Sequence, residues 1–227
     1  MPRHKSAESF NYRPGGASAD IVQIASTGLV FSKDSGMGIK VDTTTPTFGW
    51  KDLIGNIVPK ASGTGAPTRT AYRGALFDYA FAVNDVADVN YHIPHDYVPG
   101  TDIFFHVHWS HTGTNIAAGT LTFTFDYSYQ KGHNQGVFPT SSQVSITHST
   151  VNLATTPRYQ HFVTEVALSS SGALNGNAIE VDGLILGLLK LTVLPTVTGG
   201  SLFIHTADIH YQSTQLATKA KAPNFYQ

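Results

Sequence analysis

The sequence predicts an all-β protein, a jelly-roll-like β-sandwich with extended N- and C-terminal arms, and three observations predict it. Apolar and polar residues alternate with period two through the middle of the chain. No segment carries a helical period with caps. Residues 1–70, rich in Gly, Ser and Thr, and the polar residues 213–227 lack the alternation.

The elements follow in order. Phe10-Asn11-Tyr12-Arg13-Pro14-Gly15-Gly16 reads as turn-rich and irregular. Ile21–Ile24 and Leu29–Phe31 are short strand candidates without an obvious neighbour, and Phe48 to Gly55 reads as an aromatic anchor. Ala61-Ser62-Gly63-Thr64-Gly65-Ala66-Pro67 is flexible, so residues 1–70 are expected to form an arm with docking points rather than a domain. A β pattern begins at Tyr72. Gly119 to Tyr129 is its clearest stretch, with Leu121, Phe123, Phe125, Tyr127 and Tyr129 on one face and Thr120, Thr122, Thr124, Asp126 and Ser128 on the other. That aromatic row would stack on sugars if exposed, but at this spacing it reads as core. Tyr72–Val83, Asp102–His111, Val144–Thr150, Phe162–Leu168, Leu184–Leu194 and Leu202–Tyr211 complete a β-sandwich over 71–212. An immunoglobulin-type sandwich is the rival, without its Cys-Trp-Cys spacing. Residues 213–227 form the second arm, ending near Phe225 and Tyr226.

A chain of 227 residues can bury a self-sufficient core. Net charge is −1 and no basic cluster is concentrated enough for phosphate binding, so nucleic acid is not an expected partner. Charged residues are 13%, about half the usual share, which fits a surface solvated by Ser, Thr and Asn or covered by other subunits. With no cysteine, disulfides and thiolate metal sites are excluded. The N-terminal residues lack the apolar run of a secretory signal and Leu184–Leu194 is too short to span a bilayer as a helix, so the expectation is a soluble protein with no membrane partner.

Chemistry concentrates between residues 92 and 108, where four of eleven histidines lie within seventeen residues: His92, His95, His106 and His108, with Asp96 among them. Side chains alternate along a strand, so His106 and His108 share a face and His111 takes the other unless a bulge intervenes. Gly100 followed by His106-Val107-His108 matches the opening of a cupin metal motif. The glutamate expected about four residues later is missing, as is the second motif. The preferred reading is a structural histidine corner of His92, His95, Asp96, His106 and His108 that locks a strand-loop-strand turn. No catalytic residue, metal or cofactor is assigned. Nucleophile elbow, phosphate loop and zincin motifs are absent. Asp78, Asp85, Asp88, Asp96 and Asp102 read as turn and loop residues rather than a glycosidase pair. His205 and His210 fall on opposite faces by their spacing.

His92-Ile93-Pro94-His95-Asp96-Tyr97 with Gly100-Thr101-Asp102 and His106-Val107-His108-Trp109, preceded by Trp50-Lys51-Asp52-Leu53 and followed by Asp208-Ile209-His210-Tyr211-Gln212, resembles a group of tailed-bacteriophage virion proteins, some similar to capsid cement or decoration proteins. The resemblance covers about half the chain and carries over no catalytic residue. It implies a non-enzymatic jelly-roll knob, trimeric for preference, on the virion capsid surface after synthesis in the host cytoplasm. Its partners would be the major capsid protein and other virion subunits. Ordering each arm residue costs about 1–2 kcal/mol, which few apolar groups offset, so partner subunits are expected to grip the arms. Phe10, Tyr12, Phe48, Trp50, Phe225 and Tyr226 are the expected interface anchors. The alternatives are a tail adaptor or host-carbohydrate-binding virion protein, and behind them a cupin-like metal-dependent enzyme on His106 and His108.

Overall fold

The computed structural model describes residues 48–214, together with the backbone of four short strands before them. The chain divides into two compact units, residues 1–51 with 213–227 and residues 52–212. In the first, β1 (Phe10–Tyr12), β2 (Val22–Ala25), β3 (Gly28–Phe31) and β4 (Ile39–Lys40) pair in that order, with Phe10 opposite Ile24 and Val22 opposite Phe31.

The second unit is a two-sheet sandwich without a helix among the described residues. Its strands are β5 (Gly49–Gly55), β6 (Val58–Pro59), β7 (Thr68–Arg73), β8 (Leu76–Phe81), β9 (Val86–His92), β10 (Phe104–His111), β11 (Asn115–Ile116), β12 (Gly119–Gln130), β13 (Ser142–Val151), β14 (Phe162–Ala167), β15 (Ala173–Leu174), β16 (Asn177–Ala178), β17 (Leu184–Val193), β18 (Val197–Thr198) and β19 (Leu202–Ser213). One sheet runs β14-β10-β19-β8-β7, with β5 also pairing β19; the other runs β13-β12-β17-β9-β6. The short pairs β11–β18 and β15–β16 lie outside these orders. The compact unit starts at Asp52, within β5, and ends at Gln212, one residue before the end of β19, and β6 and β7 are sheet strands although an arm was expected up to residue 70.

Alternation builds the core. Leu121, Phe123, Phe125, Tyr127 and Tyr129 of β12 are all buried, as are Phe105, Val107 and Trp109 of β10 and Ala207, Ile209 and Tyr211 of β19. Phe105 of one sheet stacks on Phe125 of the other, centroids 4.1 Å apart and planes 9° apart. Trp109 stacks on Phe162 at 4.7 Å, and its indole N–H donates to Thr164 Oγ1 at 2.8 Å. A buried indole needs such an acceptor.

The loop from β9 to β10 is a packed corner. Ile93, Tyr97 and Ile103 are buried, and Asp96 accepts from Tyr211 O–H at 3.0 Å. Burial raises the Tyr211 hydroxyl pKa above its ordinary value, and the neighbouring Asp96 raises it further. Asp102 accepts from the Gly172 amide at 2.8 Å. There a Cβ on Gly172 would lie 2.6 Å from the Gly100 backbone, so two glycines with φ of +64° and +82° let the segments meet.

Candidate functional site

The face of the β14-β10-β19 sheet turned away from the core carries a cluster of histidines and carboxylates. On β10, Phe105, Val107 and Trp109 point inward, which directs His106 and His108 to the other face. On β19, Ala207 and Ile209 point inward and direct Asp208 and His210 the same way. Register then places His106 opposite both Asp208 and Glu165. The sheet thereby joins His108 to Asp208, a hundred positions away in sequence.

His106 Nε2 lies 2.7 Å from Glu165 Oε2, and because a carboxylate only accepts, this nitrogen is the donor. His108 Nε2 lies 2.6 Å from Asp208 Oδ1, and His108 Nδ1 lies 2.8 Å from His161 Nε2. His210 Nε2 contacts Asp52, and its ring centroid is 3.7 Å from that of His106. Asp208 is 3% exposed and His106 is 4% exposed. Two buried imidazole nitrogens, His106 Nδ1 and His210 Nδ1, have no hydrogen-bond partner. Leaving such an atom unsatisfied costs about 1–3 kcal/mol. Burial lowers the His210 pKa, and the adjacent His106 lowers it further. His161 is lowered chiefly by burial, then by His108.

Three overlapping triads place one potential ligand atom per residue within 4.8 Å of one another: His106, His108 and Asp208; His106, Glu165 and His210; Asp52, Asp208 and His210. Imidazole with carboxylate is a donor set for zinc and its neighbours in the first transition row.

The expected histidine corner divides in two. His106 and His108 belong to the sheet face just described. His92 and His95 lie elsewhere, with Nε2 atoms 3.3 and 3.0 Å from Asp182 Oδ1, while His133 Nε2 is 2.8 Å from Asp182 Oδ2. The His133 hydrogen bond is the leading cause that lowers the Asp182 pKa. Asp96 belongs to the loop corner through Tyr211. His111 lies on the core side, fully buried, with Nε2 2.7 Å from the Thr156 carbonyl.

His205 and His210 share a face, contrary to the expectation from spacing. A bulge in β19 pairs Trp109 with Ile204 and His108 with Thr206, which leaves His205 as an extra residue and switches the parity of the strand. His205 sits between Ser110 Oγ at 2.8 Å and Asp78 Oδ2 at 2.6 Å. Of the aspartates read as turn residues, Asp85, Asp96 and Asp102 do lie in loops, whereas Asp78 is on β8 and Asp88 on β9. Sequence reasoning missed Asp208, Glu165, His161 and Asp52 as members of the site. The available signal was Asp208-Ile209-His210, which repeats the alternation of His106-Val107-His108 on a second strand.

Among the expected interface anchors, Phe48 and Trp50 are half-buried. Phe225 and Tyr226 lie outside the described residues, as do the side chains of Phe10 and Tyr12 on β1. The β12 aromatic row is core, so it offers no sugar-stacking surface. No helix among the described residues is long and apolar enough to cross a membrane.

No protein-family model and no curated protein matches the chain. Among solved structures, it is similar to the CBM22-1–GH10 modules of Clostridium thermocellum xylanase 10B, complexed with xylohexaose, at 14% identity and TM-score 0.29 over 71% of this chain and 26% of that one. This chain therefore spans about a quarter of that structure. It is also similar to TmCBM61 in complex with β-1,4-galactotriose, at 10% identity and TM-score 0.26 over 72% and 88%. The C-terminal family 22 carbohydrate-binding module of the same xylanase gives 14% identity and TM-score 0.24 over 74% and 87%.

Proposed function

We propose that this protein is a non-enzymatic structural component of a virion, a rigid β-sandwich knob that cements the capsid through its terminal segments. The observation that carries the reading is the division of the chain. A sandwich with a closed aromatic core spans 52–212, and the residues on either side of it form a separate unit. Asp52, the first residue of the sandwich unit, contacts His210, two residues before its last, so the chain enters and leaves that unit at one place. Two segments rooted together suit attachment: each adds contacts at high effective concentration once the other is bound. The sequence resemblance supplies the capsid as the lattice and the major capsid protein as the partner.

The deciding experiment compares particles assembled with and without the protein, together with its copy number per particle. Cementing predicts hundreds of copies and particles that lose genome at lower temperature when it is missing. Unchanged heat resistance would overturn the reading. About a dozen copies, together with binding of the purified protein to host glycans, would replace it with the tail or carbohydrate-binding alternative.

A further inference from the structure

We infer that the sheet face of β10 and β19 is a binding site for a divalent first-row transition metal ion, zinc by its chemistry, held by His106, His108 and Asp208. The inference rests on the sandwich unit alone and is independent of the capsid reading.

The ligand arrangement follows from the hydrogen bonds. Glu165 accepts from His106 Nε2, so the neutral ring keeps a lone pair at Nδ1. That Nδ1 is buried and lacks a hydrogen-bond partner, and it lies 3.8 Å from Asp208 Oδ2. The other carboxylate oxygen lies 2.6 Å from His108 Nε2. Zinc bound at about 2.0–2.2 Å from each donor sets ligand atoms roughly 3–4 Å apart. One contact closer than this and one near its upper end bracket that spacing, so an ion enters by small shifts of the His108 and Asp208 side chains. It gives the His106 lone pair its missing partner.

The surrounding residues fit as outer partners. Glu165 behind His106 forms the carboxylate–histidine pairing that orients a metal-bound imidazole. His161 Nε2 can accept from His108 Nδ1 once His108 takes the tautomer that carries its single proton on Nδ1 and offers the Nε2 lone pair to the ion. His210, beside both His106 and Asp208, is the nearest further donor: its Nε2 is 3.8 Å from Asp208 Oδ2. The side chains of His108 and Glu165 are 19% and 35% exposed, which gives an approach from solvent to the otherwise buried Asp208. Oxygen-seeking magnesium and calcium are poorly served by a pair of imidazoles. These ligands stand on the opposite face of β10 and β19 from the Phe105–Phe125 core stack. The bound ion would tie β10 to β19 directly, and to β14 through Glu165.

The test uses the full chain, stripped with a chelator and titrated with zinc by calorimetry, with thermal melting followed in parallel. One zinc per chain is expected, with a melting temperature that rises with zinc and stays unchanged with magnesium. Ligand binding to the folded state alone requires that rise. His108→Ala should abolish stoichiometric binding, and Glu165→Gln should weaken it about 10–100-fold. Circular dichroism of each stripped variant confirms folding, and if His108→Ala fails to fold, the milder Glu165→Gln decides. Changing His92, His95 and His133 together to alanine controls for the surface histidines around Asp182 and should leave binding intact. Absence of stoichiometric zinc in the parent chain overturns the inference. So does full binding by folded His108→Ala, or a Glu165→Gln affinity equal to the parent's, or loss of binding only in the triple variant.

Discussion

His148 shows how one side chain couples this fold to pH. Its ring meets Trp109 edge-on at 5.2 Å and Phe162 at 5.7 Å, at the margin of the core. Burial there lowers its pKa from the ordinary imidazole value. The folded chain holds this ring neutral at pH values where the unfolded chain, with a pKa of about 6.5, has already protonated it. Stability from the neutral ring is therefore complete above about pH 6.5 and is lost as pH falls from there toward the lowered folded value. The melting temperature should drop between pH 7 and pH 5, and His148→Leu should drop less over the same interval. An equal drop in both proteins would show that His148 is not a source of the slope. At this scale the sequence was partly legible. The period of β10 was enough to pair His106 with His108 and to send His111 to the other face. Their partners were not legible, because Asp208 and Glu165 reach His106 through strand order and not through spacing. Grouping His92 and His95 with His106 and His108 followed their closeness in sequence, and the packed corner between β9 and β10 carries the two pairs to different carboxylates.

Among the elements, β19 holds the most information. Leu202 and Ile204 point inward at even positions, then Ala207, Ile209 and Tyr211 do so at odd ones. A regular strand cannot satisfy both sets, and the bulge at His205 reconciles them. Removing His205 alone should restore unbroken alternation. The variant is expected to keep a single cooperative melting transition, lowered by several degrees for the hydrogen bonds lost to Ser110 and Asp78. Removing Phe203 instead forces either Leu202 out of the core or His205 into it, and no cooperative transition is expected. Similar melting of the two deletions would mean that the parity switch does not govern the strand. The switch could be read from the apolar pattern of residues 202–211, as could β10, β12, β13, β14 and β17, whose alternation was plain. Tyr72–Val83 proved to be two strands, because Gly74, at a φ of +58°, turns the chain between β7 and β8. The sequence reading omitted β9, since Asp85, Asp88 and Asn90 resemble loop residues. Yet Ala87, Val89 and Tyr91 alternate with them and are buried, so the period was present beneath a polar composition.

Across the molecule, the two sheets are joined by aromatic rings that need room as well as area. Phe125 stacks on Phe105 of the opposing sheet, and it does so over Gly187 of the neighbouring strand β17. A Cβ at Gly187 would lie 2.2 Å from Phe125 Cε2 and Cζ and 2.8 Å from the Val89 carbonyl. Isoleucine 185 and Leu189 on either side are fully buried, so this missing side chain is an inward one and Phe125 occupies its place. Glycine inside a strand is otherwise unfavourable, and close approach of a neighbour is what retains it. Gly187→Ala must push the ring aside, which breaks the parallel stack on Phe105 or separates the sheets. Overpacking of this kind costs about 1–3 kcal/mol. The urea midpoint should fall accordingly with little change in m, because the surface exposed on unfolding is nearly the same. Pairing Gly187→Ala with Phe125→Leu, which removes the ring edge that the new methyl strikes, should make the two changes less than additive. Additive losses would show that the ring and the glycine act separately, and the spacing of the sandwich would then rest on other contacts.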